Sequence, residues 1–496
     1  MNNTELEALR AFRQQVYRTF GCRRDALFAM LDALLTAPSI ETPAHLSLVP
    51  GCHRGWSSLY DALTAGSMDL GQLERLVASY PLATERAWYA VDASVWPRCD
   101  AETSPERGYY PHPYRHSHGQ PIVAGWNYSW LVQVPSRCAS WTAPLRLRRM
   151  RPGENANLVA AEQLRSWRRQ ASPVTLPSAA TARLPIVSFD AGYDAVQLSL
   201  AVADEPVCLL VRLRSGRCFY ADPTSQPTTG RPRRHGAKFV CDDSTTWPEP
   251  TDAWSTDDPQ YGHVQLQAWS GLHPIPQRHA QRGTRTQPHA RPLVRGMLIR
   301  LEVEHLPRPT KTPVPLWFWW WGPTPPDLAE VWQAYVARFS IEHTFRFFKQ
   351  TLKWTTPKLR RPEAADRWTW LLLLAFVQLR LARDQVADVR LPWQRPLPPE
   401  RRTPARVRRG FSQLLAHLGS PGQRHNRTVP RNGGYISLAV AALPCRGCVP
   451  SYGDIAVTIV PFVRLWPMAD YTRPDRNRSG YWGAAVIGER MGPTGS

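Results

Sequence analysis

The run Leu184-Pro-Ile-Val-Ser-Phe-Asp190 decides the fold class of this 496-residue chain. It is short, continuously apolar and ends on a carboxylate, as is typical of a strand buried in the centre of a sheet. The sequence before it predicts a helix over residues 156–169. Further upstream, strands are predicted over Trp88–Trp96 and within Gln120–Val134. Strands followed by a helix and a buried strand indicate an α/β domain.

The second half of the chain continues this pattern with one interruption. Residues 207–220 are predicted to form a hairpin that turns at Ser215-Gly216, and strands are predicted again over 296–303 and 314–321. A long helix is expected from Pro326 to about Leu352, because two prolines stand at its start. A second, largely buried helix is expected over 362–387.

Changes in period and composition divide the chain into five parts. The N-terminal part is predicted to be helical and carries several arginines, among them Arg10, Arg13, Arg23 and Arg24. It suits docking on DNA, and a solvated amphipathic bundle fits the pattern equally well. The predicted parts are an N-terminal helical, DNA-binding domain (1–84), the first part of a catalytic core (85–220), a β and loop insertion (221–295), the second part of the core (296–390), and a basic Pro/Arg linker with an irregular tail (391–496).

Composition narrows the class of function. Sixty-one lysines and arginines against 40 aspartates and glutamates give a formal charge of +21. A folded chain this basic is expected to meet a polyanion, with DNA or RNA as the leading candidate. No apolar run is long enough to span a membrane, and because the first residues are polar no signal peptide is expected. Nine scattered cysteines indicate reduced thiols, and so a cytoplasmic protein.

Two aspartates stand out against their apolar surroundings. Asp92 lies inside a hydrophobic strand, and Asp190 ends the buried strand described above. Either one alone fits a strand-edge or turn aspartate. Together, at the ends of adjacent core strands, they would form an anionic pocket that repels itself and favours a divalent cation.

A third carboxylate lies on the predicted long helix. Tyr335, Arg338, Glu342, Arg346 and Lys349 stand at offsets of 0, 3, 7, 11 and 14 residues. At roughly 100° per residue, these offsets place all five on one face of a helix. A charged, solvated stripe is one interpretation. The other is a site with one metal ligand beside several phosphate ligands.

These residues carry a resemblance to a known family. The spacing Tyr335-x2-Arg338-x3-Glu342-x6-Lys349 matches the YREK signature of bacterial insertion-sequence transposases of the DDE superfamily. Asp92 and Asp190-Ala-Gly-Tyr193 resemble the two aspartate blocks of that group. The resemblance covers roughly residues 20–410. It implies a ribonuclease-H-like α/β core, a mixed sheet flanked by helices, with a β-rich insertion and an N-terminal helical domain.

The resemblance also implies a site and a cofactor. Asp92, Asp190 and Glu342 would be catalytic and would bind two Mg²⁺ (or Mn²⁺) ions, which suits a ligand set made of oxygen atoms. The reaction would be metal-dependent cleavage of DNA at transposon ends, followed by strand transfer. All three carboxylates are present, which favours an enzyme over a catalytically inactive, transposase-derived DNA-binding protein.

The same resemblance implies the partners. Tyr335, Arg338 and Lys349 would contact phosphates of the transposon end. Arg346 is added from helix geometry, and it could share a phosphate or pair with Glu342. The expected partners are terminal inverted repeats, target DNA and a second copy of the chain in a DNA-bound homodimer. No membrane partner is expected, and the location would be cytoplasmic, on the bacterial nucleoid.

Overall fold

The computed structural model describes most of the chain up to residue 421. The described ranges are 3–111, 122–170, 184–224, 233–275, 293–307 and 312–421. The predicted tail after residue 421 and two stretches of the predicted insertion, 225–232 and 276–292, lie outside these ranges.

A ten-stranded mixed sheet organises the described residues. Its order is β2-β3-β1-β5-β6-β12-β11-β10-β9, and β4 pairs with β3 outside this path. Strand β1 is parallel to β5, and β5 is parallel to β6, whereas the other pairs are antiparallel. Strands β7 and β8 form a separate pair. The strands are β1 (Trp88–Pro97), β2 (Gly108–Pro111), β3 (Ile122–Gln133), β4 (Ala143–Met150), β5 (Ile186–Phe189), β6 (Cys208–Leu213), β7 (Cys218–Tyr220), β8 (Lys238–Val240), β9 (Asp252–Asp258), β10 (Gly262–Leu272), β11 (Gly296–Val303) and β12 (Leu316–Trp321).

Helices cover both faces of this sheet. Helices α6 and α7 pack on one face, and α8, α9 and α10 lie on the other with the N-terminal helices. This mixed sheet flanked by helices confirms the predicted ribonuclease-H-like α/β class. The helices are α1 (Asn3–Thr19), α2 (Arg24–Thr36), α3 (Pro43–Leu46), α4 (Trp56–Ala65), α5 (Leu70–Ala78), α6 (Ala156–Gln170), α7 (Ala195–Ala201), α8 (Leu328–Arg338), α9 (Ser340–Arg346), α10 (Pro362–Leu381) and α11 (Pro404–Leu418).

Strand β1 shows how the sequence assigns the two faces. Side chains alternate along a strand. Trp88 and Ala90 accordingly join the core beneath α8 and α10, whereas Tyr89 and Val91 join the core on the opposite face. The same alternation directs Asp92 toward the face that α8 and α9 cover.

The N-terminal helices share their core with the C-terminal ones. Helix α2 packs against α10 and α11. The buried Arg408 of α11 donates hydrogen bonds to the carbonyl oxygens of Leu34, at 2.8 Å, and Ala37 at the end of α2. These carbonyls have no partner within their own helix, so the guanidinium caps it. Helix α11 lies within the stretch predicted as linker and tail, and the five-part division stays a prediction.

Two local predictions were wrong. Strands β6 and β7 do not form a hairpin: β6 lies between β5 and β12, and β7 pairs with β8. The predicted long helix is interrupted at Phe339, between α8 and α9. The ψ angle of Phe339 is −13°, away from the α-helical value of about −42°. Here the Ser340 hydroxyl accepts a hydrogen bond from the Ala139 amide at 3.0 Å. A π-helical turn, Phe347–Thr351, follows α9.

The predicted insertion contributes to the main sheet. Strands β9 and β10 continue the sheet beyond β11, and β9 forms its outer edge among the described strands. That edge strand carries Asp252, Asp257 and Asp258. Among the helices described, none has the length and apolar character needed to cross a membrane.

Candidate active site

Asp92 and Asp190 are brought together by strand register. The parallel ladder between β1 and β5 pairs Val91 with Phe189, so the two aspartates that follow stand side by side. The side chain of Asp92 is 24% exposed and that of Asp190 is 41% exposed. The predicted adjacency of these carboxylates is therefore present, at the carboxyl end of β5.

Aromatic packing fixes helices α8 and α9 over this part of the sheet. Trp130, the partner of Asp92 on β3, contacts Phe345 and Phe348 with ring centroids 5.8 and 5.3 Å apart. On the other side, Phe318 of β12 contacts Tyr335 of α8 at 4.7 Å. These contacts hold the two helices across the carboxylate end of the strands.

Glu342 reaches the same charged cluster from α9. Burial raises the pKa of Asp92 to about 7; Arg338 opposes this rise, while the negative charges of Asp190 and Glu342 add to it. Burial also raises the pKa of Glu342, Arg338 lowers it, and Asp190 raises it again. Asp92 and Glu342 thus lie within electrostatic reach of each other and of Asp190.

Arg338 lies between two of these carboxylates. Its side chain is 5% exposed, with Nη1 at 3.9 Å from Asp92 Oδ2 and Nη2 at 3.6 Å from Glu342 Oε1. In this arrangement, no three carboxylate, imidazole or thiol side chains of the described residues converge closely enough to hold a metal ion. Arg338 therefore supplies the positive charge between Asp92 and Glu342.

The other residues of the predicted helix face differ in exposure. Tyr335 is buried against Phe318 and Phe339. Lys349 is half-buried; burial lowers its pKa to about 8, and the charge of Asp92 opposes that fall. A solvated stripe is therefore wrong for Tyr335 and Arg338, whose side chains face the protein interior.

Arg346 is half-buried on the same helix. Its positive charge lowers the pKa of Glu342, although burial and Asp190 raise it more. The five predicted helix residues are thus not equivalent. Tyr335 and Arg338 are interior, and Glu342, Arg346 and Lys349 are partly accessible.

Sequence reasoning missed Arg212, and it quoted Tyr193 in the second aspartate block without giving that residue a role. Arg212 Nη1 lies 3.4 Å from Asp190 Oδ1. Burial raises the pKa of Tyr193 strongly, and the charges of Asp92 and Asp190 raise it further. Arg212 could have been found as the one charged side chain between Cys208 and Leu213, a fully buried strand.

The donor set fits a hard divalent cation. All three carboxylates offer oxygen atoms, which suit Mg²⁺ or Mn²⁺. The pKa of Asp92 is raised to about 7, by burial first and by Asp190 and Glu342 in addition, despite Arg338. The negative charges of Asp190 and Glu342 thus repel that of Asp92. A bound cation would relieve this repulsion, so Asp92, Asp190 and Glu342 are the residues that would hold it.

A comparison with protein families identifies one match. A family model described as a DDE superfamily endonuclease matches residues 15–275, about half of the chain. The matched segment contains Asp92 and Asp190 and ends before the helix that carries Glu342. No curated protein matches the chain.

Proposed function

The chain belongs to the DDE superfamily of endonucleases, and on this premise we propose that it is a DNA transposase. It would cleave DNA at the ends of its own element and join those ends to target DNA. The observation that carries the proposal is the pairing of Asp92 with Asp190 by strand register. Glu342 acts on this pair from the facing helix: burial is the largest cause of the raised pKa of Asp92, and the charge of Glu342 adds to it. Three interacting carboxylates beside a basic helix suit hydrolysis and transfer at a phosphodiester.

The carboxylates would hold the metal, and the cations would hold DNA. Bound at Asp92, Asp190 and Glu342, two Mg²⁺ ions would activate the attacking hydroxyl and stabilise the leaving oxygen. Arg346 and Lys349, which are partly accessible, would bind phosphate oxygens next to the cleaved bond. Lys349 is cationic at neutral pH, since burial lowers its pKa only to about 8.

Buried groups would set the geometry of this site. Tyr335 packs on Phe318 and fixes α8 against β12. Arg338, one turn further along α8, is thereby directed at Asp92 and Glu342. In the proposed complex Arg338 would exchange these carboxylates for a DNA phosphate, the contact that the YREK resemblance implies.

The proposal also covers the subgroup of the family and the binding partners. Membership of the YREK subgroup, recognition of terminal inverted repeats, and a DNA-bound homodimer are all proposed here. The high positive charge supports a DNA partner, because cationic side chains release condensed counterions when they meet phosphates.

The experiment uses the DNA that flanks this reading frame. The full chain is incubated with duplexes that contain the flanking repeats, with Mg²⁺ and an unrelated target plasmid, and the products are sequenced. We expect nicks at the repeat boundary and joined products that depend on Mg²⁺. Joined products distinguish a transposase from a nuclease that only cuts. If the folded protein binds the repeats and neither nicks nor joins them, the proposal is wrong.

One observation favours a second candidate, a transposase-derived DNA-binding protein without activity. Arg338 bridges Asp92 and Glu342, and the described side chains form no ready three-ligand metal group. This candidate predicts tight repeat binding that Mg²⁺ does not change. The product assay above separates the two.

A further inference from the structure

Arg212 lies in an unusual place for a charged residue. It is 6% exposed on β6, and its neighbours along that strand are buried. The parallel ladder pairs Phe189 with Val211, so Asp190 stands beside Arg212. Arg212 Nη1 lies 3.4 Å from Asp190 Oδ1. A buried guanidinium destabilises the fold unless its charge is compensated, and Asp190 supplies that compensation.

The surroundings of Arg212 place its charge within the candidate site. Its Nε donates no hydrogen bond within the part of the chain that the structure describes. Its positive charge also opposes the rise that burial causes in the pKa of Glu342 and of Tyr335. The guanidinium is therefore surrounded by the site: Asp190 is in contact, and Glu342 and Tyr335 are within electrostatic reach.

Arg338 offers a comparison inside the same site. It comes from helix α8 and bridges the other two carboxylates, Asp92 and Glu342, at 3.9 and 3.6 Å. Arg212 instead comes from the sheet and, of the three carboxylates, forms its ion pair with Asp190. Arg338 thus lies between two carboxylates that would both bind the cation. Arg212 contacts one carboxylate and does not lie between two of them.

We propose that Arg212 is a positioning residue for metal binding, which holds the Asp190 carboxylate beside Asp92 and stays paired with it when a cation binds. Arg338 has the opposite effect, because it competes with the cation for Asp92 and Glu342. The inference rests on the proposed function and deepens it by adding a residue that the YREK signature does not contain. Partners that orient a metal-ligating side chain typically change metal affinity by 10–100-fold.

The two arginines give opposite expectations for the same substitution. Arg338→Gln removes a competitor and raises Mn²⁺ affinity. Arg212→Gln frees Asp190 and lowers Mn²⁺ affinity by about tenfold. Charge alone predicts a rise in both variants, since loss of a nearby cation favours the binding of another. The direction of the change at Arg212 therefore separates positioning from charge.

The test is a Mn²⁺ titration of the full chain without DNA, with free Mn²⁺ measured by electron paramagnetic resonance. The matched control is Arg86→Gln, which breaks a 3.2 Å ion pair with Glu330 on α8 and is expected to leave Mn²⁺ affinity unchanged. Arg212→Lys keeps the charge without the planar fork and is expected to bind Mn²⁺ less tightly than wild type but more tightly than Arg212→Gln.

Each outcome has a defined meaning. Wild-type binding that Asp190→Ala abolishes, with weaker binding in Arg212→Gln, supports the inference. Equal or tighter binding in Arg212→Gln overturns the role of Arg212 and leaves the proposed function standing. Absence of any Mn²⁺ binding that depends on Asp190 overturns both. If thermal unfolding shows that Arg212→Gln does not fold, Arg212→Lys decides: affinity below wild type supports the inference, and affinity equal to or above it overturns the inference.

Discussion

Trp130 stands directly opposite Asp92 in the antiparallel ladder between β3 and β1. The tryptophan is fully buried against Phe345 and Phe348, on either side of the start of the π-helical turn. One residue pair of the sheet thus contains both an acidic side chain of the site and the aromatic ring that packs against the facing helix. The packing of this ring and the position of Glu342 are consequently linked.

Replacing Trp130 by alanine should reduce the free energy of unfolding by about 3–5 kcal/mol, as is usual when a large buried aromatic side chain is removed. Urea unfolding followed by circular dichroism measures this change. Trp393→Ala is the matched control, because Trp393 is 78% exposed. Its effect should stay within about 0.5 kcal/mol. A similar loss in both variants would contradict the packing role of Trp130.

Alanine at Asp92, Asp190 or Glu342 should abolish DNA cleavage and leave DNA binding nearly intact, since each substitution would remove a proposed metal ligand and no proposed phosphate contact. Cleavage is followed on labelled repeat DNA, and binding by fluorescence anisotropy. Asp204→Asn serves as a control carboxylate, because Asp204 is exposed and pairs with Arg165 at 3.0 Å. Wild-type cutting by any one of the three variants would show that its ligand assignment is wrong.

Lys349→Ala should weaken binding to the transposon end and reduce the dependence of affinity on salt. Loss of one phosphate contact lowers the slope of log K against log salt by about 1. The slope is measured by anisotropy between low and physiological salt. Lys238→Ala, on the exposed side of β8, should leave the slope unchanged. An unaltered slope in Lys349→Ala would argue against a phosphate contact.

His273 should make the protein less stable in mild acid. Its side chain is fully buried, with Asp222 at 3.6 Å and His235 at 3.0 Å. Burial lowers the pKa of His273 below 6.5; Asp222 opposes this, and His235 and Arg295 add to it. As the pH falls through 6.5, the unfolded chain therefore binds a proton that the folded chain excludes, and stability decreases.

Urea unfolding at pH 7.5 and pH 5.5 measures this effect. We expect His273→Gln to lose less stability between the two pH values than wild type does, whatever its absolute stability. His305→Gln, at an exposed position, is the control and should behave as wild type. An equal loss in wild type and His273→Gln would assign the acid sensitivity to other groups.

Element positions were largely predictable from the sequence. Strand β11 has the predicted bounds, and β1 and β5 differ from prediction by one or two residues, because period-2 and continuous apolar runs report burial directly. The pairing of β6 was not predictable. Ser215-Gly216 suggested a local hairpin, but the apolar β6 is buried along its length, between β5 and β12.

Part of the geometry of the candidate site was predictable from the sequence, and part was not. Helical periodicity placed Tyr335, Arg338 and Glu342 on one face, and the structure joins Arg338 to both Glu342 and Asp92. Periodicity carries no information on tertiary packing. It therefore could not show the break at Phe339, nor the pairing of Arg212 with Asp190 across neighbouring strands.

The acidic outer strand β9 has a consequence for how this protein behaves at high concentration. A strand at the edge of a sheet has amide and carbonyl groups without strand partners on its outer side. These groups can pair with a strand of another chain, which is how ordered aggregates begin. Asp252, Asp257 and Asp258 give this strand a local negative charge in an otherwise cationic chain. Two copies approaching edge to edge would repel each other there. This repulsion disfavours pairing between the β9 strands of two copies, and so disfavours filaments formed by that pairing.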